Sequence, residues 1–461
     1  MQRTITTFTL SLVLVSVAIC TNGQQKAPDE FVSVIGQFGV MLPSSIRDDF
    51  KYDIIRLGDD KLVSWIYRWD LDSDQAAIIY AIANVDMEAK TDLYLERFRD
   101  AYAPGSVINQ KKTSFSGHPG LVSIVDSPAL GGKVSRAMIW TYLFKNRVYL
   151  MSLTLDDNAK IEEHVKLMST FRLLSLRDVE MWAAARVKEL TPERLPLDPH
   201  PSRPTTDAQD AALKGPVKSV ITESEPFVDD SLFGVRELVS VENYDEHGNL
   251  IRIVEYRNSR PVRVRFYGVH EGQRAFRETR RTWPISRDKG VYVAREPRNE
   301  EKLYTIKYKH DAGGRLVEMH VLGDDGKEAE TAKYNLKAKT VARRYDPEFR
   351  YVQAPRLEFK NFLQLLMESS ANASSKENEI VSTLDSDGKS IEDAYQVPNG
   401  MFSRPGFDGE QRYRIYRTDK VRHEYDSDVH GNWIKRKSFA LTQDKKSVPM
   451  EVTYRTISYY E

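Results

Sequence analysis

The chain has one cysteine in 461 residues, Cys20, and it lies within the first two dozen. Once that segment is removed, no disulfide, thiolate nucleophile or cysteine metal ligand is left. Net charge is missing too: 67 Lys and Arg face 67 Asp and Glu, so no general attraction to nucleic acid is indicated and none is expected as a partner. After residue 23 no apolar run approaches the roughly 20 residues a membrane-spanning helix needs. There is no Gly-x-Ser-x-Gly elbow and no glycine-rich phosphate loop. The histidines at 118, 164, 200, 270, 310, 320 and 423 show no His-x-x-x-His or His-Glu-x-x-His spacing. No catalytic, cofactor-binding or metal residue is therefore assigned, and the balance falls toward a protein that is not an enzyme. Adjacent acids such as Asp229-Asp230 and Asp324-Asp325 identify nothing in so charged a chain, although a hydrolase with two acids far apart in sequence stays open.

What is present begins with an address. Arg3 is the only charge in residues 1–23, Phe8 to Cys20 is mostly apolar, and Thr21, Asn22 and Gly23 lead into polar Gln24. That is the grammar of a secretory signal peptide, cut after Gly23 or after Cys20. Lipid attachment at Cys20 is disfavoured by bulky Ile19 beside it. Export without disulfides fits a bacterial periplasm or an extracellular location, and the mature chain is expected not to be an integral membrane protein.

Residues 188–216 carry prolines at 192, 196, 199, 201, 204 and 216. Such density excludes a helix or an inner strand and reads as an extended linker. It separates an N-terminal domain, 31–187, from a C-terminal one, 217–461. The expected fold class is α+β: an N-terminal α/β sandwich with an antiparallel sheet, the linker, then a mostly antiparallel β region of hairpins with one inserted helix, Leu357 to Met367. Residues 175–190 read as a helix, either packed on the first domain or solvated with Trp182 as its anchor.

On the N-terminal side the quoted stretches are FGVMLP at 38–43, the SGHPG turn at 116–120, the FKNRVYLMSL hairpin at 144–153 and a closing helix ending in FRLL at 171–174. This succession resembles the PsbP-like family, which implies an α/β sandwich and an assembly, accessory or binding role without a shared catalytic motif.

The C-terminal side repeats a short phrase. Asp245-Glu246-His247-Gly248-Asn249-Leu250 aligns without a gap with Asp428-Val429-His430-Gly431-Asn432-Trp433, and Asp311-Ala312-Gly313-Gly314-Arg315-Leu316 is a third copy. Asp385 to Lys389 is a weaker fourth. Asp accepting backbone bonds, Gly taking positive φ and an apolar residue opening a strand make a hairpin turn. Because later copies replace the histidine, Asp245, Gly248, Asn249, Asp311, Gly314, Asp428, Gly431 and Asn432 read as structural turns, not as an Asp/His site. With Tyr244 in front, the phrase resembles the YD repeat of RHS-type exported proteins. The glycines at 248, 314, 388 and 431 are too irregularly spaced for a large repeat shell, so a modest antiparallel sheet of hairpins is expected.

Arginines at 257, 260, 263, 265, 274, 277, 280 and 281 form the densest charge feature. Arg263 and Arg265 alternate with Val262, Val264 and Phe266 and so share a strand face. Two readings stand: a solvated face paired with Glu271 and Glu278, or a ligand or partner surface made of Arg263, Arg265, Tyr256, Tyr267 and Trp283. The functional expectation is an exported, non-enzymatic envelope binding or accessory protein for a glycan or protein partner, without a cofactor. The alternative is a periplasmic hydrolase of glycan or peptidoglycan using carboxylates of the C-terminal domain.

Overall fold

Along Asp74–Ile82 nearly every side chain is apolar, so a strand there must be covered on both faces. The computed structural model places this strand inside a seven-stranded antiparallel sheet. The structure describes residues 30–41, 49–57, 60–71, 74–82, 87, 91–128, 134–154, 161–191, 205–228, 231–232, 236–257, 259–282, 285–288, 291–294, 298–345, 379–386, 388–395, 401–405, 413–417, 420–441 and 446–461. The signal segment, Trp283, the Leu357–Met367 insert and most of the proline-rich stretch lie outside them.

The N-terminal elements are β1 (Glu30–Ser33), β2 (Phe38–Met41), β3 (Asp49–Leu57), β4 (Asp60–Leu71), β5 (Asp74–Ile82), α1 (Thr91–Tyr102), β6 (Ser106–Phe115), β7 (His118–Pro128), β8 (Val134–Phe144), β9 (Arg147–Thr154), α2 (Ile161–Met168), β10 (Arg172–Leu173) and α3 (Leu176–Glu189). The large sheet runs β3-β4-β5-β9-β8-β7-β6. Strand alternation sends Ile78 and Tyr80 to one face and Ala77, Ile79 and Ala81 to the other. The first face packs under the small sheet β1-β2-β10 through Phe31, Phe38, Val40 and Phe171. The second is covered by Tyr94, Leu95 and Phe98 of α1. Helix α3 starts on a Ser175–Asp178 capping box. It bridges two bodies: Val179 and Trp182 pack with Val32 and Leu174, while Val187 and Leu190 pack on Val254 and Val264 of the second half.

That half contains α4 (Asp207–Asp210), β11 (Val217–Val228), β12 (Ser231–Leu232), β13 (Glu237–Tyr244), β14 (Leu250–Arg257), β15 (Arg260–His270), β16 (Gln273–Thr282), β17 (Ile285–Asp288), β18 (Val291–Ala294), β19 (Arg298–His310), β20 (Leu316–Gly323), β21 (Glu328–Asn335), β22 (Thr340–Tyr345), β23 (Glu379–Leu384), β24 (Ser390–Tyr395), β25 (Met401–Pro405), β26 (Tyr413–Arg417), β27 (Lys420–Ser427), β28 (Trp433–Leu441) and β29 (Ser447–Tyr459). Each long strand pairs antiparallel with the next, and the last, β29, pairs with the first, β11, from Val217↔Tyr459 to Pro226↔Glu451. Setting aside β12 and the two side hairpins β17–β18 and β25–β26, fourteen strands close into a barrel.

Closure overturns the expected α+β class. Strands dominate the described residues, and the C-terminal half is a closed barrel in place of a modest sheet of hairpins. The turns were legible, but closure depends on the pairing of two segments more than 200 residues apart, which no local pattern encodes. The YD-repeat resemblance fails with it, because the Asp-x-x-Gly turns are hairpin joints of one closed wall. The PsbP-like resemblance rested on apolar stretches such as FGVMLP and FRLL, and any sheet covered on both faces produces such stretches.

Candidate functional site in the barrel interior

In this antiparallel barrel, the turns following β13, β15, β19, β21, β23 and β27 share one end. All four copies of the Asp-x-x-Gly phrase are therefore there. In each of the first three, the Gly N–H donates to the Asp carbonyl and the Asp carboxylate accepts two backbone N–H groups. Asp385 Oδ1 accepts the N–H of Lys389 in the fourth. His247 and His430 are exposed, which accounts for the glycine that replaces them at 313.

These turns also grip the chain that crosses this end. Residues 206–215 lie against the barrel with Ala208 and Leu213 buried beside Val217, Val220 and Tyr244. Ala208 N–H donates to Gly248 O at 2.9 Å. Asp207 accepts from Leu250 N at 2.8 Å and from Arg274 Nη2 at 2.6 Å. Asn432 accepts from Lys214 N at 2.7 Å and donates to Lys214 O at 2.8 Å. Gly248 has φ +81°, and a Cβ there would meet Thr206 Oγ1 at 3.1 Å. The glycine thus serves both the turn and the close approach of the crossing segment.

Register sorts the wall into two faces. Inward positions on β14–β16 include Glu255, Arg263, Arg265, Tyr267, Phe276 and Glu278. Arg263 is 0% exposed and Arg265 2%. Arg265 Nε meets Glu278 Oε2 at 2.8 Å and Arg265 Nη1 meets Glu255 Oε1 at 3.3 Å. Arg263 reaches the same two carboxylates at 3.5 and 3.6 Å. Burial disfavours charge on Arg265, but Glu255 and Glu278 outweigh it and hold its proton more tightly than usual. For Arg263, burial dominates and its pKa falls, with Arg265 and Arg280 adding repulsion. Burial alone would raise the Glu278 carboxyl; the two arginines pull it below the ordinary carboxylate range. Burial also pushes the Tyr267 hydroxyl up.

Both arginines are buried among carboxylates and not solvated. Glu278 pairs with them, whereas Glu271 sits at the β15–β16 turn, 3.8 Å from His270. Glu255 is the partner that sequence reasoning missed, because it lies on the preceding strand opposite Arg263. Tyr256 faces outward into the cluster under α3, with Leu190, Val254 and Val264. Tyr267 stays inside, 5.1 Å from the Phe276 ring and 5.2 Å from the Arg274 guanidinium.

A second inner cluster spans β24, β27 and β28. His423 Nε2 lies 3.0 Å from Asp393 Oδ2 and its Nδ1 3.1 Å from Ser438 Oγ. Ser390 Oγ donates to Asp393 Oδ1 at 2.6 Å. Burial works against ionised Asp393, but bonds from His423, Ser382 and Ser390 bring its pKa down to about 2. Among the described residues, no group of three His, Cys, Asp or Glu could hold a metal ion.

The outward face is charged at several heights. Lys307, Lys309, Lys333, Arg422, Glu424 and Lys437 are exposed. Glu318 meets Lys309 at 3.7 Å, Lys333 at 3.4 Å and His320 at 3.2 Å. Arg422 pairs with Glu424 at 2.9 Å and Lys420 with Glu392 at 2.8 Å. No described helix is long and apolar enough to cross a membrane.

No protein-family model matches the chain, and no curated protein matches it. The PsbP-like and YD-repeat resemblances have no support there either. A porin-like protein from Bacteroides uniformis aligns with 53% of this chain and 99% of its own, at 10% identity and a TM-score of 0.22. A score that low does not define a shared fold.

Proposed function

We propose that the chain is an exported envelope protein acting as a binding or accessory module, with a water-soluble barrel. The observation that carries this reading is the ion-paired outer wall. An outward Lys or Arg costs about 2–4 kcal/mol at a bilayer midplane, and Lys307, Lys333, Arg422 and Lys437 are distributed around the wall. The segment crossing one barrel end and the mutually neutralised inner charges also fit a scaffold better than a conducting pore. Contacts with an envelope glycan or protein then fall to the outer wall and the barrel ends, since Arg263 and Arg265 are engaged inside. Glu255 and Glu278 are both committed to those arginines, which removes this pair as the acid and base of the glycan-hydrolase alternative.

The test is flotation of a chain begun at Gln24 with anionic phospholipid vesicles. It is expected to remain in the aqueous fraction without detergent. Co-flotation that resists carbonate and high salt would overturn the reading.

A further inference from the structure

We propose that Asp393, His423 and Ser438 form a nucleophilic triad on the inner wall of the barrel, able to cleave small carboxylic esters. This goes beyond the binding reading and does not rest on it. The three residues stand on consecutive wall strands, β24, β27 and β28. His423 is directly opposite Ser438 in register. His423 is 7% and Ser438 2% exposed, and both ring nitrogens are engaged, one by a carboxylate and one by a hydroxyl, at 3.0 and 3.1 Å. That pair of partners decides the tautomer. An ionised Asp393 can only accept, so Nε2 carries the hydrogen and Nδ1 presents its lone pair to the Ser438 hydroxyl.

The lone pair on Nδ1 can take the Ser438 proton while the carboxylate holds the opposite N–H, with the two ring nitrogens exchanged relative to the familiar serine triad, in which Nε2 faces the serine. Ser438 Oγ adds to the ester carbonyl carbon while its proton passes to Nδ1 and the carbonyl electron pair moves to oxygen. Collapse breaks the C–O bond to the alcohol portion, which leaves with the proton from Nδ1, and an acyl-serine remains. A water then gives its proton to Nδ1 and adds to the acyl carbon. Collapse releases the carboxylic acid and returns a proton to Ser438, so ester and water become acid and alcohol. Asp393 is the positioning residue, itself fixed by Ser390. Arg436 lies two residues from Ser438 on the same strand face, about 7 Å along it, and its bonds to Glu451 and Thr453 keep it inside the barrel.

The probe is an alkyl fluorophosphonate applied to the full mature chain, with the adduct located by peptide mass. One phosphonyl group on Ser438 is expected, lost in Ser438→Ala. Labelling should slow at least 100-fold in His423→Gln and Asp393→Asn, with circular dichroism reporting their folding separately. A merely structural hydrogen-bond chain would leave the wild-type serine inert. No adduct on the wild type, or an adduct on another serine that survives Ser438→Ala, overturns the proposal whether or not the variants fold. Flotation does not enter this readout, so the two readings fail separately.

Discussion

Arg265→Met is expected to destabilise the barrel by about 3–5 kcal/mol, the cost of leaving buried opposite charges with one partner removed. Arg265 makes the shortest contact of its four-residue set, 2.8 Å to Glu278. Without it, Arg263 alone must face Glu255 and Glu278 from 3.6 and 3.5 Å. The Arg265 guanidinium also lies over the Phe276 ring, 5.2 Å from its centroid; methionine removes that charge but fills much of the same length, so the loss is electrostatic more than steric. Urea unfolding followed by circular dichroism measures it, and a change below about 1 kcal/mol would contradict the burial described. The double variant Arg265→Met with Glu278→Gln should recover part of the loss, since it removes the stranded charge along with its partner.

The same set fixes a pH dependence. The folded Glu278 carboxyl lies below its ordinary value. Its contribution is therefore fully present above the unfolded carboxylate range and is lost as pH falls through the lower folded value. In Arg265→Met that acid-side loss should begin at higher pH, because burial then acts on Glu278 with less opposition.

Phe38→Ala should cost the N-terminal unit about 3–5 kcal/mol. Phe38 is wholly buried and its ring lies 5.3–6.1 Å from those of Phe31, Tyr67, Tyr80, Tyr149 and Phe171. Its strand, β2, pairs on both sides, with β1 and β10, so the backbone cannot collapse into the space left. Thermal unfolding read by near-ultraviolet circular dichroism checks it. A loss near that of an exposed substitution would mean the small sheet is not seated on the large one.

Much of the strand pattern was readable from residues alone, and the reasons for the failures are physical. Alternation along Val262–Phe266 separates two faces but does not say which is inside. An open sheet turns its polar face to water; a barrel can turn it inward if the charges neutralise one another, as Arg263, Arg265, Glu255 and Glu278 do. The Asp-x-x-Gly turns were visible locally, whereas the grip of Asn432 on Lys214, 218 residues away, was not. Asp393, His423 and Ser438 lie 30 and 15 residues apart, without a motif between them, and only strand register brings them together. The linker's prolines were evident, but not that its last ten residues cross a barrel end.

The barrel closes only because β29 returns to β11. Ser219, half-buried, and Ser458, exposed, are direct partners across that seam, 239 residues apart, with hydroxyl oxygens 2.6 Å from each other. In a chain begun at Gln24, which has no other cysteine, Ser219→Cys with Ser458→Cys should form a disulfide in air. It would be seen as a faster, reductant-sensitive band on a non-reducing gel and as loss of both free thiols. Two thiols that stay reduced and freely alkylated in the folded protein would contradict a closed barrel.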